Sequence, residues 1–199
     1  MHEFHPFYVT TLSAVEQMAA DEALLSEGLE HPILSVYQWA EKAVTGGRGT
    51  SEELLEKLAT EKGITNYSKR RSGGGIVFHE KQAGLTYAIA IPRLKLNEIG
   101  SINAFYTWLH ESIQQLLLAH GVPCYLASEG KSTSADPCFT HPVTADLLSA
   151  SGKKIAGAGI WVSKKGFLIQ GEIQPEQPVQ WQKDKLNFLD FTVWQAEVS

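Results

Sequence analysis

The chain has 199 residues, of which 43% are hydrophobic and 20% charged, and this size and composition suit one globular domain over residues 1–199. Its formal net charge of -5 argues against a nucleic-acid-binding protein, because phosphate contacts require clustered cations. The sequence has no bilayer-spanning apolar run, no secretory signal and only two cysteines, and it shows no metal-ligand spacing. We therefore expect a cytoplasmic protein with reduced thiols and with no membrane, nucleic-acid or metal partner.

The first predicted element is a helix that begins at Ser13. Ser13 and Glu16 match a capping box, in which each residue satisfies a backbone donor near the helix start. Gly28 is the predicted end of the helix. The expected apolar stripe consists of Val15, Met18, Ala19 and Leu25.

Strands and a second helix follow in the first half of the chain. The β-rich residues 33–39 predict a strand, and the glycine-containing residues 45–49 predict a flexible loop. Residues 50–62 predict a helix. Residues 64–78 predict two strands joined by a glycine turn, and residues 85–91 predict a buried strand that Pro92 ends.

The second half contains the strongest helical pattern and then several hairpin-like strands. Residues 101–120 predict a helix whose apolar face consists of Ile102, Phe105, Trp108, Leu109, Ile113, Leu116 and Leu117. Residues 127–137 predict a polar loop. Further strands are predicted over 122–126, 146–150, 155–162 and 166–173. Because hairpins dominate this half, the sequence favours an α+β fold, with a mixed and mostly antiparallel sheet packed by helices.

A glycine run between two predicted strands is the most informative motif. Lys69, Arg70, Arg71 and Ser72 precede Gly73-Gly74-Gly75. A backbone without Cβ atoms allows a ligand to approach closely, and the preceding cations can neutralise an anion. A tight hairpin turn is the simpler alternative, although it does not need three glycines. The run is neither a P-loop nor a dinucleotide fingerprint, since neither glycine spacing is present.

Two further segments are candidates for chemistry. In the stretch 152–159, Lys154 shares a strand face with Ala156 and Ala158, which leaves room for its side chain to reach an anion. Cys138 lies between two prolines, and His141 could lower the pKa of its thiol. A thiolate there could accept an acyl group, but a buried, inert cysteine is the alternative.

Two other residues have less specific roles. Cys124 lies in an apolar strand and is assigned to the core. His79 follows the glycine strand and either contacts a ligand or is a satisfied, half-buried histidine.

Taken together, these segments resemble the superfamily of lipoate–protein ligase A, octanoyltransferases and biotin ligases. The resemblance follows the chain in order through MAADEALL at 18–25, RRSGGG at 70–75, VFHE at 77–80, LTY at 85–87, GKKIAG at 152–157 and LIQG at 168–171. It implies a biotin/lipoate ligase-like catalytic domain without a C-terminal accessory domain. It also implies an enzyme that attaches octanoyl or lipoyl groups to one lysine of a lipoyl carrier domain.

The resemblance implies roles for individual residues. Lys154 matches the family's essential lysine and would hold the acyl carbonyl or an adenylate phosphate. Cys138 falls where cysteine-dependent octanoyltransferases carry their nucleophile. The residues implied in binding the acyl group or acyl-adenylate are Arg70, Ser72, Gly73, Gly74, Gly75, His79, Thr86, Gly157 and Ala158.

The resemblance leaves two reaction routes open. We favour transfer through a Cys138 thioester, with an octanoyl or lipoyl donor and no tightly bound cofactor. The uninterrupted run Gly73-Gly74-Gly75 instead matches ATP-dependent ligases, which would need ATP and Mg²⁺ and could be bipartite. Gln170 stands where many relatives have histidine and Glu172 where a small residue is common, so a non-catalytic lipoyl- or nucleotide-binding relative is a third reading. Expected partners are the glycine cleavage H protein or a 2-oxoacid dehydrogenase E2, with acyl carrier protein as a further candidate.

Overall fold

A computed structural model of the chain describes residues 3–25, 29–95, 101–128 and 142–189. Ten strands and three α-helices are formed within these ranges. The helices are α1 (Ala14–Leu24), α2 (Glu52–Glu61) and α3 (Ile102–Ala119). The strands are β1 (Glu3–Thr10), β2 (Ile33–Trp39), β3 (Ala43–Gly46), β4 (Tyr67–Lys69), β5 (Ile76–His79), β6 (Leu85–Pro92), β7 (Cys124–Leu126), β8 (Leu147–Ser149), β9 (Lys154–Val162) and β10 (Gly166–Ile173).

The strands form two sheets, and the predicted α+β fold with a mixed, mostly antiparallel sheet is confirmed. The larger sheet has seven strands in the order β1-β2-β6-β10-β9-β8-β7, and its β1–β2 pair is parallel. The smaller sheet has the order β4-β3-β5, in which β3 and β4 are parallel. Strand β1 is absent from the sequence predictions, which treat the N-terminal residues only as lacking a signal.

Helix α3 builds the main core against the larger sheet. Ser101 caps the helix by accepting a hydrogen bond from the Ala104 amide. The predicted apolar face is confirmed except at Ile102, which is exposed. Apolar residues of α3 and the sheet share one buried cluster that includes Leu34, Ile89, Phe105, Leu109, Ile113, Leu117 and Ile169. Burial at roughly 25 cal/mol per Å² of apolar surface makes this packing the main stabilising contribution.

Helix α1 confirms the predicted capping box, but its apolar stripe is partly wrong. Both reciprocal hydrogen bonds between Ser13 and Glu16 are present. Val15 and Ala19 face solvent. The buried positions are Ala14, Gln17, Met18 and Asp21, so two polar side chains replace the expected apolar contacts. The predicted end at Gly28 lies outside the described residues.

The glycine run is not a hairpin turn. Strands β4 and β5 pair with opposite edges of β3, so residues 70–75 cross the end of β3 to connect them. The predicted flexible loop over 45–49 is also wrong in part, because Thr45 and Gly46 pair on both sides as the central strand of this sheet. Residues 70–75, which end in the run Gly73-Gly74-Gly75, are called the glycine loop below.

Candidate acyl-transfer site

Arg70 holds the glycine loop in place from within. Its Nη1 donates to the carbonyl oxygen and to Oγ1 of Thr45 at 3.0 and 2.8 Å, and its Nη2 donates to the Gly75 carbonyl at 2.8 Å. The side chain is buried. The hydrogen bonds of the Arg70 guanidinium therefore fix the loop backbone, and its predicted role in acyl binding stays a prediction.

The loop lies directly against strand β9. The Gly73 amide donates to the Ile160 carbonyl at 3.3 Å. A Cβ atom on Gly159 would fall inside the van der Waals radius of the Gly73 carbonyl, and one on Gly47 would meet the Gly74 carbonyl in the same way. Glycine is thus needed on both neighbours of the loop, because the backbones approach too closely for a side chain.

Lys154 enters the same region from the start of β9. Its Nζ lies 2.7 Å from Asp146 Oδ2, and both side chains are buried. A Cβ atom on Gly157 would lie 2.6 Å from Lys154 Cε, so Gly157 provides the space that the lysine occupies. A charged pair that is buried this fully is stable only when short contacts offset its lost hydration. Removal of one partner therefore leaves the other charge buried and uncompensated.

A bulge changes the predicted face of Lys154. Leu147 of β8 pairs with Ala156, but the next residue, Leu148, pairs with Lys154, so β9 carries one extra residue there. The extra residue reverses the alternation of sides. Lys154 therefore lies over Gly157, and the prediction that it shares a face with Ala156 is wrong.

Tyr106 of α3 completes the surroundings of Asp146. Its hydroxyl donates to Asp146 Oδ1 at 2.6 Å and accepts from the Ala158 amide at 3.1 Å. Burial, with the negative charge of Asp146 next in size, raises the pKa of the Tyr106 phenol well above its usual value. The hydroxyl is therefore a permanent hydrogen-bond donor at physiological pH.

The loop, Lys154 and Tyr106 border an open groove of about 570 Å³. This volume lies within the usual range for small-molecule sites, roughly 300–1,000 Å³. Four of the predicted site residues line the groove: Gly73, Gly74, Lys154 and Ala158. The rest of its lining includes the apolar residues Ile102, Val143 and Ile160 and the polar residue Asn103.

A second, much smaller space of about 20 Å³ shares Ala158 and Gly159 with the groove and is called the inner cavity below. That volume holds roughly one water molecule. Its lining contains the predicted residues Arg70, His79, Thr86, Gly157 and Ala158, together with the polar residues Asp21, Tyr37, Gln170 and Glu172.

Asp21 is the most perturbed carboxyl group of this cavity. Complete burial raises its pKa to about 6, opposed by hydrogen bonds from Gln170, Gln17 and Tyr37 and by attraction to His79. Gln170 Nε2 donates to Asp21 Oδ2 at 2.8 Å. The donors satisfy the carboxylate but do not fully offset its desolvation.

His79 and Glu172 form the opposite wall of the inner cavity. His79 Nε2 lies 2.8 Å from Thr45 Oγ1, and its Nδ1 lies 3.1 Å from Glu172 Oε2. The Thr86 hydroxyl donates to the same carboxylate oxygen and accepts from Trp39 Nε1 at 2.9 Å. Both His79 and Glu172 are buried, so His79 is an interior polar residue.

Comparison with protein families identifies the fold and the family. A family model described as the lipoyl protein ligase A/B catalytic domain matches residues 13–177. The chain belongs to this family. Membership confirms the predicted resemblance and places the protein among the enzymes of protein lipoylation.

Solved structures share the fold of this lipoyl protein ligase domain at low sequence identity. Protein Ta0514 of Thermoplasma acidophilum, solved with lipoic acid, is 18% identical, with a TM-score of 0.64 over 96% of this chain and 76% of that chain. A lipoate-protein ligase A solved with ATP is 16% identical, with a TM-score of 0.64 over 100% and 83% of the two chains. The bipartite lipoate protein ligase of T. acidophilum is 15% identical, with a TM-score of 0.59 over 98% and 72%. A search of curated proteins finds no match.

The predicted site residues that the structure describes lie mainly around two neighbouring spaces, the groove and the inner cavity. Cys138 lies outside the described residues. Cys124, which the sequence assigns to the core, is half-buried, and its burial raises the pKa of the thiol to about 11. Within the described ranges, no helix is long and apolar enough to cross a membrane, and no cluster of three or more His, Cys, Asp or Glu side chains could hold a metal ion.

Sequence reasoning misses two residues that the structure places beside Lys154. Asp146 is predicted only as the start of a strand, and Tyr106 lies off the apolar face of its helix. Both contacts join segments that are distant in sequence, Tyr106 being 40 residues before Asp146. The sequence nevertheless contains an indication of this pair, because Asp146 precedes Lys153-Lys154 by a few residues and a buried lysine needs an anion beside it.

Proposed function

We propose that this protein transfers an octanoyl or lipoyl group to the acceptor lysine of a lipoyl carrier domain, with Lys154 stabilising the reacting carbonyl. One observation carries the proposal: a buried lysine, ion-paired to Asp146, borders an open groove that Gly73 and Gly74 of the glycine loop also line. Family membership supports the substrate class.

The groove supplies what acyl transfer needs. Attack on an acyl carbonyl places negative charge on its oxygen, and a preorganised cation in a site of low dielectric stabilises that charge. Lys154 is such a cation, because Asp146 lies 2.7 Å from its Nζ and fixes its position. The glycine loop, where Gly73 and Gly74 reach the groove, allows the acyl group to lie against backbone. The groove has the volume for this group, whereas the inner cavity does not.

The favoured route passes through a thioester on Cys138. The Cys138 thiolate attacks the carbonyl of an acyl donor and expels the donor's thiolate, which takes up a proton. The uncharged amine of the carrier lysine then attacks the thioester, forms an amide, and releases the Cys138 thiolate and a proton. This route needs no nucleotide, and acyl carrier protein is the proposed donor.

A ligase route is favoured by two other observations. The glycine loop is uninterrupted from Gly73 to Gly75, and the groove beside Lys154 is large enough for an adenylate. In this route ATP and Mg²⁺ activate free lipoate or octanoate, and Lys154 contacts the phosphate of the acyl-adenylate before the carrier lysine attacks. The lipoate-protein ligase A solved with ATP has the same fold.

Intact-protein mass spectrometry after incubation with octanoyl-acyl carrier protein separates the two routes. The thioester route predicts one octanoyl adduct that hydroxylamine removes and that Cys138→Ala abolishes. Cys124→Ala is the matched control and keeps the adduct, because burial disfavours the Cys124 thiolate. The thioester route is wrong if no adduct forms and Cys138→Ala still lipoylates an H protein or E2 lipoyl domain with ATP and lipoate.

A further inference from the structure

The carboxylate of Asp146 is held by groups from three parts of the fold. Its Oδ2 accepts from Lys154 Nζ at 2.7 Å and from the Val143 amide at 2.6 Å. Its Oδ1 accepts from the Tyr106 hydroxyl at 2.6 Å. Because each oxygen has a donor, the carboxylate cannot rotate away from Lys154 without breaking a hydrogen bond to a charged group.

We propose that Tyr106 is a positioning residue, which acts through Asp146 to fix the place of the Lys154 ammonium group. The proposal rests on the proposed function for the importance of Lys154. Two short contacts connect the residues, one from the Tyr106 hydroxyl to Asp146 and one from Asp146 to Lys154, and together they are called the relay below.

Tyr106 is itself fixed on both sides. The Ala158 amide of β9 donates to its hydroxyl at 3.1 Å, so the oxygen accepts one bond while its proton points to Asp146. Its ring centroid lies 4.2 Å from that of His110, with the two rings tilted by 45°, and His110 Nδ1 lies 2.9 Å from the Tyr106 carbonyl oxygen. Through Tyr106, helix α3 therefore contacts β9 at Ala158, which borders the groove.

The groups around this relay leave the Asp146 carboxylate paired with Lys154. Asp146 is the anion in contact with Lys154, and His110 is the other titratable group packed beside Tyr106. Burial lowers the pKa of His110 to about 4, so the imidazole is neutral at physiological pH and does not compete with Lys154 for Asp146. Tyr106 is a neutral donor over the same range.

The first test measures the rate at which the Lys154 amine is acetylated, without any acyl donor or carrier domain. Acetic anhydride acetylates amines that it can reach, so buried Lys154 should react slowly, and tandem mass spectrometry distinguishes it from its exposed neighbour Lys153. We expect Tyr106→Phe to raise the acetylation rate of Lys154 by about tenfold, because Asp146 loses one of its anchors and holds the lysine less firmly in its buried position, and to leave Lys153 unchanged. Tyr125→Phe, at an exposed tyrosine, is the matched control and changes neither rate.

The second test is a double-mutant cycle on acyl transfer to a lipoyl domain, run below the melting temperature of every variant. Tyr106→Phe should lower kcat by about ten- to a hundredfold with little change in KM. In an Asp146→Asn background the same substitution should have no further effect, because Tyr106 acts through that carboxylate.

Two results would overturn the proposal. One is an unchanged Lys154 acetylation rate in Tyr106→Phe, and the other is an equal kcat loss in both backgrounds, which would mean a separate or purely structural role. The acetylation experiment holds even if the protein proves to use a different acyl substrate, so failure of the relay and failure of the proposed function are distinguishable.

Discussion

Ser72 donates a hydrogen bond to Gln170 Oε1 at 2.8 Å across 98 residues of sequence. Both side chains are buried, and Gln170 also donates to Asp21 of helix α1. One amide group thus connects the glycine loop, the centre of the larger sheet and the first helix. The position of the loop beside Lys154 depends on this connection as well as on Arg70.

Ser72→Ala should destabilise the protein by about 1–3 kcal/mol, because Gln170 Oε1 loses its donor in a buried environment. Chemical denaturation measures the free energy of unfolding. Ser68→Ala is the control, since Ser68 donates only to the adjacent Lys69 carbonyl at 3.2 Å. In a Gln170→Leu background Ser72→Ala should cost much less, and an equal cost in both backgrounds would contradict the proposed contact.

Gly73→Ala should leave the fold intact and impair substrate binding. A Cβ atom on Gly73 would meet only the Ile160 carbonyl, at 3.9 Å, and would otherwise project beside the groove. Gly159→Ala should behave differently, because its Cβ would displace the Gly73 carbonyl and destabilise the loop. We expect an unchanged melting temperature and a raised KM for the acyl donor in Gly73→Ala. Normal kinetics in this variant would exclude close contact between ligand and loop at this glycine.

Lys154→Ala and Lys153→Ala form a matched pair of adjacent lysines. Lys154 is buried against Asp146, whereas Lys153 is exposed. Lys154→Ala should lower kcat by about 10²–10³-fold, as for the loss of one oxyanion donor, and destabilise the protein by about 3–5 kcal/mol. Lys153→Ala should alter neither kcat nor the melting temperature. Acyl transfer that survives in Lys154→Ala would remove this lysine from the mechanism.

Local patterns predicted the elements of this fold better than the contacts between them. Strand β10 and the capping box of α1 agree with the sequence, because both depend on neighbouring residues. The buried Asp21 could not be predicted from helical periodicity, since its donors Tyr37 and Gln170 come from strands β2 and β10. Tertiary hydrogen bonds make a polar residue acceptable where the helical pattern favours an apolar one.

The same limit applies to the candidate site. The run Gly73-Gly74-Gly75 and Lys154 could be identified from the sequence, because consecutive glycines and a lysine next to a predicted turn are visible in neighbouring residues. The bulge that turns Lys154 over Gly157 has none, because it arises from pairing between β8 and β9.

Asp21 and His110 should contribute opposite pH dependences to stability in the same range. Burial raises the pKa of Asp21 from 3.8 to about 6, so between these values the folded state binds the extra proton and stability falls as pH rises. Burial lowers the pKa of His110 from 6.5 to about 4, so the unfolded state binds the extra proton and stability rises with pH. Each effect amounts to roughly 3 kcal/mol, and in the wild-type protein the two largely cancel.

Single substitutions should reveal the two opposing slopes. Free energies of unfolding, measured between pH 4 and 6.5, should rise with pH in Asp21→Asn, where only His110 remains, and fall with pH in His110→Asn, where only Asp21 remains. His31→Asn is the control, because His31 is exposed and its removal leaves the wild-type profile. The double variant should return to a nearly flat profile. Parallel curves for the wild type and both single variants would show that neither buried group titrates in this range, since each slope depends on a pKa that differs between the folded and unfolded states.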